Sequence, residues 1–237
     1  MPAHPTPLLL IPGLLCDQRL FAAQTAALEP DRVVCIADLS LDTSIVAMAR
    51  RTLDAAPPLF ALAALSMGGY VAMEIMRQAP ERVLKLALLD TMVRPDDEAR
   101  AKARRGLLAL AQMGKFKGVT PQLLPRLMHP RCLGSTVADT VQAMAESIGK
   151  EGFVRQQQAI IERADYRPVL ETIRVPTLIV VGEDDEITPV AESREIHRGI
   201  PQSRLVVLPQ CGHLPPLEYP ELTTELLRRW LSDEAHV

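Results

Sequence analysis

Short apolar runs alternate with amphipathic stretches along the first part of the chain. The apolar runs are nearly continuous, which is typical of parallel strands buried on both faces, and the stretches between them repeat apolar residues at helical spacing. Strands are predicted at 7–11, 32–36, 59–65 and 82–90, and helices at 17–28, 43–55 and 70–79. This β-α-β order predicts a parallel sheet with helices on both faces.

The alternation is interrupted by residues 94–167, which we call the helical segment, because no strand pattern appears there. Four helices are predicted in it, at 96–113, 120–128, 136–148 and 152–163. Beyond it, strands are predicted at 175–182 and 204–208, and helices at 189–199 and 217–232. The sequence therefore predicts an α/β core of about six mostly parallel strands, residues 1–93 and 168–237, with the helical segment inserted in it.

Ser66 lies where a predicted strand passes directly into a predicted helix. Such a junction is a tight turn that strains the serine backbone and lifts its hydroxyl out of the sheet. Strand and helix nearly touch there, so the residues two before and two after the serine must be small, and Ala64 and Gly68 meet that requirement. Ser66 is therefore a candidate nucleophile; the alternative is a helix N-cap serine followed by a flexible glycine pair.

The pattern around Ser66 resembles the nucleophile elbow of α/β-hydrolases, with Ala64 in the first glycine place. The resemblance spans nearly the whole chain and implies the α/β-hydrolase fold, with the helical segment as a lid. Pro12-Gly13-Leu14 stands where this superfamily has its oxyanion loop, although proline replaces the usual histidine. By this resemblance, the backbone N–H groups of Leu14 and Met67 stabilise the oxyanion.

Two later loops, each after a predicted strand, resemble the remaining catalytic loops of the superfamily. The loop after residue 182 is similar to its acid loop, which makes Asp185 the triad acid, with Asp184 as the competing position. Gly212-His213 is similar to its histidine loop, which makes His213 the base. Asp90, at the end of its own strand, is a further candidate acid, and Thr188 is predicted to cap the next helix.

The chain order Ser66, Asp185, His213 is that of α/β-hydrolases and not that of chymotrypsin or subtilisin. The chemistry requires this set, because a serine hydroxyl attacks only when a base takes its proton and a carboxylate orients that base. The resemblance is closest to small serine esterases and lactonases, such as enol-lactonases and carrier-protein methyl ester esterases. It implies hydrolysis of an ester, lactone or thioester through an acyl-enzyme, with no cofactor and no metal.

Two groups of alternatives stay open. One is a different enzyme on the same triad: a carbon–carbon bond hydrolase, an acyltransferase or a cofactor-free perhydrolase. The other is a binding protein that kept the fold and lost turnover, against which the complete triad argues.

Composition narrows the classes of partner. The formal net charge of −3 gives no reason to expect nucleic acid or an anionic membrane as partner. Four cysteines lack metal-site spacing, no signal peptide is recognised, and no apolar run reaches membrane-spanning length. A cytoplasmic protein that acts on a small-molecule acyl substrate is expected, in an oligomeric state that the sequence does not specify.

The helical segment differs from the rest of the chain in charge. It contains 13 lysines and arginines against 8 aspartates and glutamates, in a chain whose net charge is −3. This excess predicts attraction of an anionic or carrier-linked substrate, or alternatively a solvated helix face. Among the histidines outside the triad, His129 is a candidate for substrate contact, whereas His4, His197 and His236 are not.

The apolar residues of the helical segment are expected to pack mostly on each other and on the core, with a minority roofing the pocket. They are Leu107, Leu110, Met113, Phe116, Leu123, Leu127, Met144, Ile148 and Phe153.

Overall fold

Six strands form one parallel sheet in the computed structural model, which describes residues 5–232. The strands are β1 Leu8–Ile11, β2 Val34–Ile36, β3 Phe60–Leu65, β4 Val83–Leu89, β5 Thr177–Gly182 and β6 Arg204–Leu208. Their order is β2-β1-β3-β4-β5-β6, and every pairing is parallel. The predicted α/β class and parallel sheet are confirmed, and all carboxyl ends of the strands lie at one edge, where α/β folds bind ligands.

The strands are connected and covered by α-helices. They are α1 Ala22–Leu28, α2 Ile45–Ala55, α3 Met67–Gln78, α4 Glu98–Gln112, α5 Leu124–Leu127, α6 Thr136–Ile161, α7 Arg167–Leu170, α8 Val190–Gly199, α9 Pro215–Glu218 and α10 Pro220–Leu231. Short 3-10 turns add Gln18–Phe21, Pro80–Arg82 and Pro130–Cys132. None of the helices in residues 5–232 is long and apolar enough to cross a lipid bilayer.

Alternate side chains of the strands point to opposite faces of the sheet and build two hydrophobic cores. Leu9 and Ile11 of β1 pack on one face with residues of α2, α3 and α8. Leu8 and Leu10 pack on the other face with residues of α1 and α10. Because both faces are covered, the central strands show continuous apolar runs in the sequence and no alternation of polar and apolar residues.

Prolines and one glycine set helix boundaries that apolar spacing did not locate. The helix predicted at 120–128 is wrong in extent, since only α5 forms there; Pro121 and Pro125 lack the N–H that a continuing helix needs. The predicted helices 136–148 and 152–163 are joined as α6, which is interrupted at Gly149, where φ is 68°. The predicted last helix is divided into α9 and α10 at Pro220.

The helical segment lies between β4 and β5 in the chain and contributes α4, α5 and α6. Most of its buried apolar residues belong to the core that α1 and α10 help to form, whereas Ala159 and Ile160 of α6 belong to the core on the other face of the sheet. The division of the chain into a core and a lid stays a prediction.

Candidate active site

Ser66 forms the junction between β3 and α3, with φ at 54° and ψ at −116°. A non-glycine residue in such a conformation costs about 1–3 kcal/mol, which the surroundings must offset. Ser66 N–H donates to Leu89 O at 3.0 Å, and the Thr91 hydroxyl donates to Ser66 O at 2.7 Å. The Ser66 side chain makes no capping hydrogen bond to α3, so its hydroxyl is available to other groups.

The two glycines after Ser66 are required by close approach between elements. A Cβ on Gly68 would lie 2.3 Å from Ile11 O, and a Cβ on Gly69 would lie 2.2 Å from Thr91 Oγ1. Any larger residue would push α3 away from the ends of the neighbouring strands. This is the physical reason for the small residues that mark Ser66 in the sequence.

The structure brings Ser66, His213 and Asp185 together from distant parts of the chain. Ser66 Oγ lies 2.8 Å from His213 Nε2, and His213 Nδ1 lies 2.8 Å from Asp185 Oδ2. All three side chains are buried. They follow β3, β6 and β5 respectively, so the parallel sheet places them at one edge.

The Asp185 carboxylate is fixed by its own loop. Its Oδ1 accepts the N–H groups of Ile187 at 2.8 Å and Thr188 at 3.0 Å, and its Oδ2 accepts the Thr188 hydroxyl at 2.6 Å. Burial favours the neutral acid, but the His213 imidazole and these hydrogen bonds outweigh it and hold the pKa of Asp185 well below its ordinary value. Thr188 therefore binds Asp185 and is not the predicted helix cap; α8 begins one residue after Pro189, which is its N-cap.

Asp184, the competing acid of the loop, has different surroundings. Its side chain is half exposed, and its Oδ2 lies 3.9 Å from His129 Nε2, which is too long for a hydrogen bond. The geometry therefore pairs His213 with Asp185 and leaves Asp184 near the surface.

Asp90, the other candidate acid, is a buried neighbour of Asp185. Its Oδ1 accepts the N–H of Gly182 at 2.8 Å, and its Oδ2 is buried without a hydrogen-bond partner. Burial and then the negative charge of Asp185 raise the pKa of Asp90 well above its ordinary value. Both effects disfavour a charge on Asp90, while the His213 imidazole faces Asp185.

Asp90, Asp185 and His213 are also the one trio of metal-ligand side chains in residues 5–232 whose ligand atoms lie within 4.8 Å of one another. Both ring nitrogens of His213 are already engaged, one by Asp185 and one by Ser66. A metal ion there would have to replace one of these hydrogen bonds. The absence of a metal cofactor stays a prediction.

Glu218 anchors the loop that carries His213, a role that the sequence did not reveal. Its buried carboxylate accepts the N–H groups of Gly212 and Leu214, both at 3.1 Å, and of His129 at 2.8 Å. The two residues on either side of His213 are therefore held by one carboxylate. The spacing from Gly212-His213 to Glu218 is visible in the sequence, but nothing in it shows that the carboxylate folds back onto the loop.

The turn after β1 passes directly beside Ser66. A Cβ on Gly13 would lie 3.3 Å from Ser66 Cβ. Cys16 N–H donates to Gly13 O at 3.2 Å, and Leu15, third in this turn, has φ at 59°. A positive φ at the third residue of a turn is what a type II turn requires, and a leucine adopts it at a cost of about 1–2 kcal/mol.

Two backbone donors near Ser66 are free. Within residues 5–232 the N–H groups of Leu14 and Met67 make no hydrogen bond, Met67 because it begins α3. Both residues line the cavity that Ser66 lines. Cys16 lines it too, but burial raises the pKa of its thiol to about 12, which keeps it protonated and unreactive.

A cavity of about 710 Å³ opens above these groups. Its floor includes Leu14, Ser66, Met67 and His213, and its roof consists of the cavity-lining residues of the helical segment. Six of the nine apolar residues singled out in that segment belong to the roof, so the expected minority is wrong: they are Leu107, Leu110, Phe116, Leu123, Leu127 and Phe153. His129, a candidate for substrate contact in the sequence, does not line the cavity.

The roof is also basic. Among its charged residues, Arg104 is engaged, because its Nε donates to Asp96 at 2.7 Å, and Arg126 lies 3.8 Å from Glu186. The exposed Lys115 and Lys117 line the cavity without an ion pair within the described residues. The charge excess of the helical segment is therefore partly neutralised within the protein and partly open toward the cavity.

Residues 8–226 match the sequence model described as the alpha/beta hydrolase family. The pimeloyl-[acyl-carrier protein] methyl ester esterase of Nitrosomonas europaea is 32% identical over 194 residues, which cover 78% of this chain and 75% of that protein. A thermophilic esterase from Thermogutta terrifontis, solved with malate bound, is 30% identical with a TM-score of 0.86, over 96% of this chain and 90% of that one.

A further solved structure, the enol-lactonase from Burkholderia xenovorans LB400, shares the fold with a TM-score of 0.82 at 23% identity, over 96% of this chain and 92% of that one. The sheet order, the strained serine turn and the sequence match agree with one another. The chain belongs to the alpha/beta hydrolase family.

Proposed function

We propose that this protein is a serine hydrolase that cleaves a carboxylic ester, lactone or thioester through an acyl-enzyme. One observation carries the proposal: a continuous hydrogen-bonded chain runs from Ser66 Oγ through His213 to Asp185, with both links at 2.8 Å. The Ser66 end of this hydrogen-bonded series lies at the cavity wall, which the residues of the two free N–H donors, Leu14 and Met67, also line. These are the parts that nucleophilic catalysis by serine requires.

In the acylation step, His213 Nε2 takes the hydroxyl proton as Ser66 Oγ attacks the acyl carbon. The carbonyl oxygen becomes an oxyanion, which accepts the N–H groups of Leu14 and Met67; one such donor contributes about 3 kcal/mol to transition-state stabilisation. When the tetrahedral intermediate collapses, the bond to the leaving alcohol or thiol breaks, and His213 returns the proton to it. The acyl group is then bound to Ser66 Oγ.

Deacylation repeats these steps with water in place of Ser66. His213 takes a proton from water as its oxygen attacks the acyl carbon, and then gives that proton to Ser66 Oγ as the acid leaves. Asp185 fixes the imidazole so that Nε2 faces Ser66 and stabilises the imidazolium in both steps. The low pKa of Asp185 suits this task, because the carboxylate stays charged while His213 gains a proton.

The cavity supports a substrate of moderate size with an anionic part. Apolar side chains of the roof offer a surface for an acyl chain, and Lys115 and Lys117, which have no ion-pair partner among residues 5–232, offer two cations to a carboxylate or an acidic carrier. The similarity to an esterase named for an acyl-carrier-protein methyl ester is consistent with a carrier-linked substrate. A free anionic ester is the alternative that the same two lysines would serve.

Labelling with a fluorophosphonate tests the nucleophile. The native chain should be labelled once, at Ser66, and the Ser66→Ala variant should not be labelled. Turnover of a chromogenic ester should fall at least about 10⁴-fold in Ser66→Ala and to a similar extent in His213→Ala, because triad members act as a unit. Labelling at another residue, or full activity in Ser66→Ala, would show that Ser66 is not the nucleophile.

A product assay separates the serine hydrolase from an acyltransferase on the same triad and from a binding protein. Esters of graded chain length, lactones and thioesters are incubated with and without an added alcohol, and products are identified by mass. Free acid as the main product supports hydrolysis, whereas esters of the added alcohol would identify an acyltransferase. Labelled Ser66 without any turnover on the panel would favour the binding protein.

A further inference from the structure

The turn that carries Leu14 is restrained only weakly by its own contacts, which are a long backbone hydrogen bond and a contact of the Cys16 thiol with Leu14 O at 3.5 Å. The free N–H of Leu14 shares a peptide plane with the carbonyl of Gly13, and that plane is held by the bond from Cys16 N–H to Gly13 O, at a long 3.2 Å. The turn closes only while Leu15 keeps its φ of 59°, which leucine disfavours. If Leu15 relaxed to negative φ, the plane that aims the Leu14 N–H would be free to rotate.

Gln156 of α6 restrains the turn from outside, through the N–H group of Leu15. Its Oε1 accepts the N–H of Leu15 at 3.0 Å, across 141 residues of sequence, and its Nε2 faces Leu39 O at 3.4 Å. Gln156 is fully buried, and Leu15 and Leu39 are buried as well. Because this hydrogen bond is buried, the Leu15 N–H would lose its partner if it turned away from Gln156.

Gln156 therefore joins three parts of the fold. Leu15 follows β1, Leu39 follows β2, and Gln156 belongs to the helical segment. Arg155, its neighbour in α6, donates to Ser40 O at 3.2 Å, so this stretch of α6 is seated against the turn after β2.

We propose that Gln156 is a positioning residue for the oxyanion hole: by holding Leu15 N–H it keeps the Gly13–Leu14 peptide in the orientation that directs the Leu14 N–H at the oxyanion. The inference rests on the proposed function. It makes the helical segment part of the catalytic geometry as well as of the cavity roof, because the hole is complete only while α6 is seated.

The experiment compares Gln156→Met, which keeps the shape and removes the acceptor, with Gln156→Glu, which keeps an acceptor oxygen. We measure kcat and KM on a small neutral chromogenic ester, and the inhibition constant of an aryl boronic acid, whose tetrahedral adduct with Ser66 places an oxygen at the hole. Gln156→Met should lower kcat about 10–100-fold, somewhat less than removal of a whole oxyanion donor, with KM changed less than about 3-fold. Boronate affinity should fall with kcat, and Gln156→Glu should recover most of both.

Gln24→Met is the matched control. Gln24 is also fully buried, and its Nε2 donates to the carbonyls of Pro216 and Pro220, so a methionine there also removes buried hydrogen bonds of a glutamine amide. It should lower the melting temperature about as much as Gln156→Met, with kcat and boronate affinity within about 2-fold of the native values.

Two outcomes would overturn the proposal. The first is native kcat and boronate affinity in Gln156→Met, since then Leu14 is aimed without Gln156. The second is a kcat loss shared equally by Gln156→Met, Gln156→Glu and Gln24→Met, since then only fold stability is involved. Fluorophosphonate labelling of Ser66 in the native chain stands apart from these outcomes, so failure here is distinguishable from failure of the serine mechanism.

Discussion

The floor and the roof of the cavity differ in how far their side chains are held by contacts within the protein. On the floor, His213 is hydrogen-bonded at both ring nitrogens, and Asp185 behind it accepts from its own loop. On the roof, Leu107 and Leu110 are nearly half exposed and Lys117 has no ion-pair partner within the described residues. The floor is therefore built to fix one geometry, whereas the roof leaves contacts open for a substrate to complete.

From this difference we expect the floor to determine the rate of the reaction and the roof to determine which substrates bind. A change on the floor or behind it should lower kcat for every substrate by a similar factor. A change on the roof should alter kcat/KM for some substrates and spare others. Gln156 tests whether the two tasks are fully separate, because it belongs to the helical segment but contacts the turn that carries Leu14.

The largest effect is expected behind the floor, in the acid loop. Asp185→Asn should lower kcat about 10²–10⁴-fold, because an amide can neither hold the required tautomer of His213 nor stabilise its charged form. Asp184→Asn should change kcat less than about 2-fold, since its carboxylate is half exposed and away from His213. Steady-state kinetics on one neutral ester and one anionic ester measures both.

The two esters make this pair of variants informative. The fold-loss in Asp185→Asn should be the same for both esters. A large loss in Asp184→Asn with native behaviour in Asp185→Asn would reverse the assignment. Native kcat in both variants would transfer the role to Asp90, the remaining acid beside His213.

An intermediate effect is expected for Glu218→Gln, which keeps shape but places an amide among three N–H donors. Charge-assisted bonds to a buried carboxylate contribute about 1.5–3 kcal/mol, which corresponds to a fall of about 3–12 °C in melting temperature for a chain of this size. The loosened His213 loop should lower kcat about 10-fold for neutral and anionic esters alike.

Glu225→Gln is the control for this variant, because it removes an exposed carboxylate of α10 that pairs with Arg228 and Arg229 at the surface. It should leave kcat and melting temperature nearly unchanged. If Glu218→Gln behaves like Glu225→Gln, the His213 loop is held by the chain around it and not by the carboxylate.

Residues of the floor could be predicted from the sequence because they lie where strands end. The small residues around Ser66 and the loops carrying Asp185 and His213 each follow an apolar run, and a parallel sheet brings such positions to one edge. The partners of these residues could not be predicted in the same way. Glu218 and Gln156 act through side chains that reach back over the fold, and no local pattern specifies which buried carboxylate or amide meets which N–H.

The residues that line the roof could be predicted only in part. Apolar spacing identified the apolar faces of the predicted helices, but it did not show which residues on those faces line the cavity and which pack in the core. Phe153 and Met144 both belong to α6, yet Phe153 lines the cavity and Met144 is fully buried in the core. That choice depends on the break at Gly149 and on how α6 packs, which are properties of the tertiary structure.

The smallest effect is expected on the roof, from reversing the charge of Lys115 and Lys117 together. The double variant Lys115→Glu, Lys117→Glu should lower kcat/KM for an anionic ester, such as a dicarboxylate monoester, about 3–10-fold at low salt, the size expected for solvated charge pairs. A neutral ester of equal size should be affected less than about 2-fold, because the floor is unchanged.

Salt and a matched variant test whether Lys115 and Lys117 attract the anionic ester. The Debye length falls from about 10 Å at 0.1 M to about 3 Å at 1 M, so the preference of the native protein for the anionic ester should shrink with salt. Lys102→Glu makes the same charge change on an exposed lysine of α4 that does not line the cavity, and it should leave the preference intact. Equal salt dependence for both esters, or an equal loss in Lys102→Glu, would mean that the lysines form a solvated surface and that the roof selects its substrate by shape and apolar contact alone.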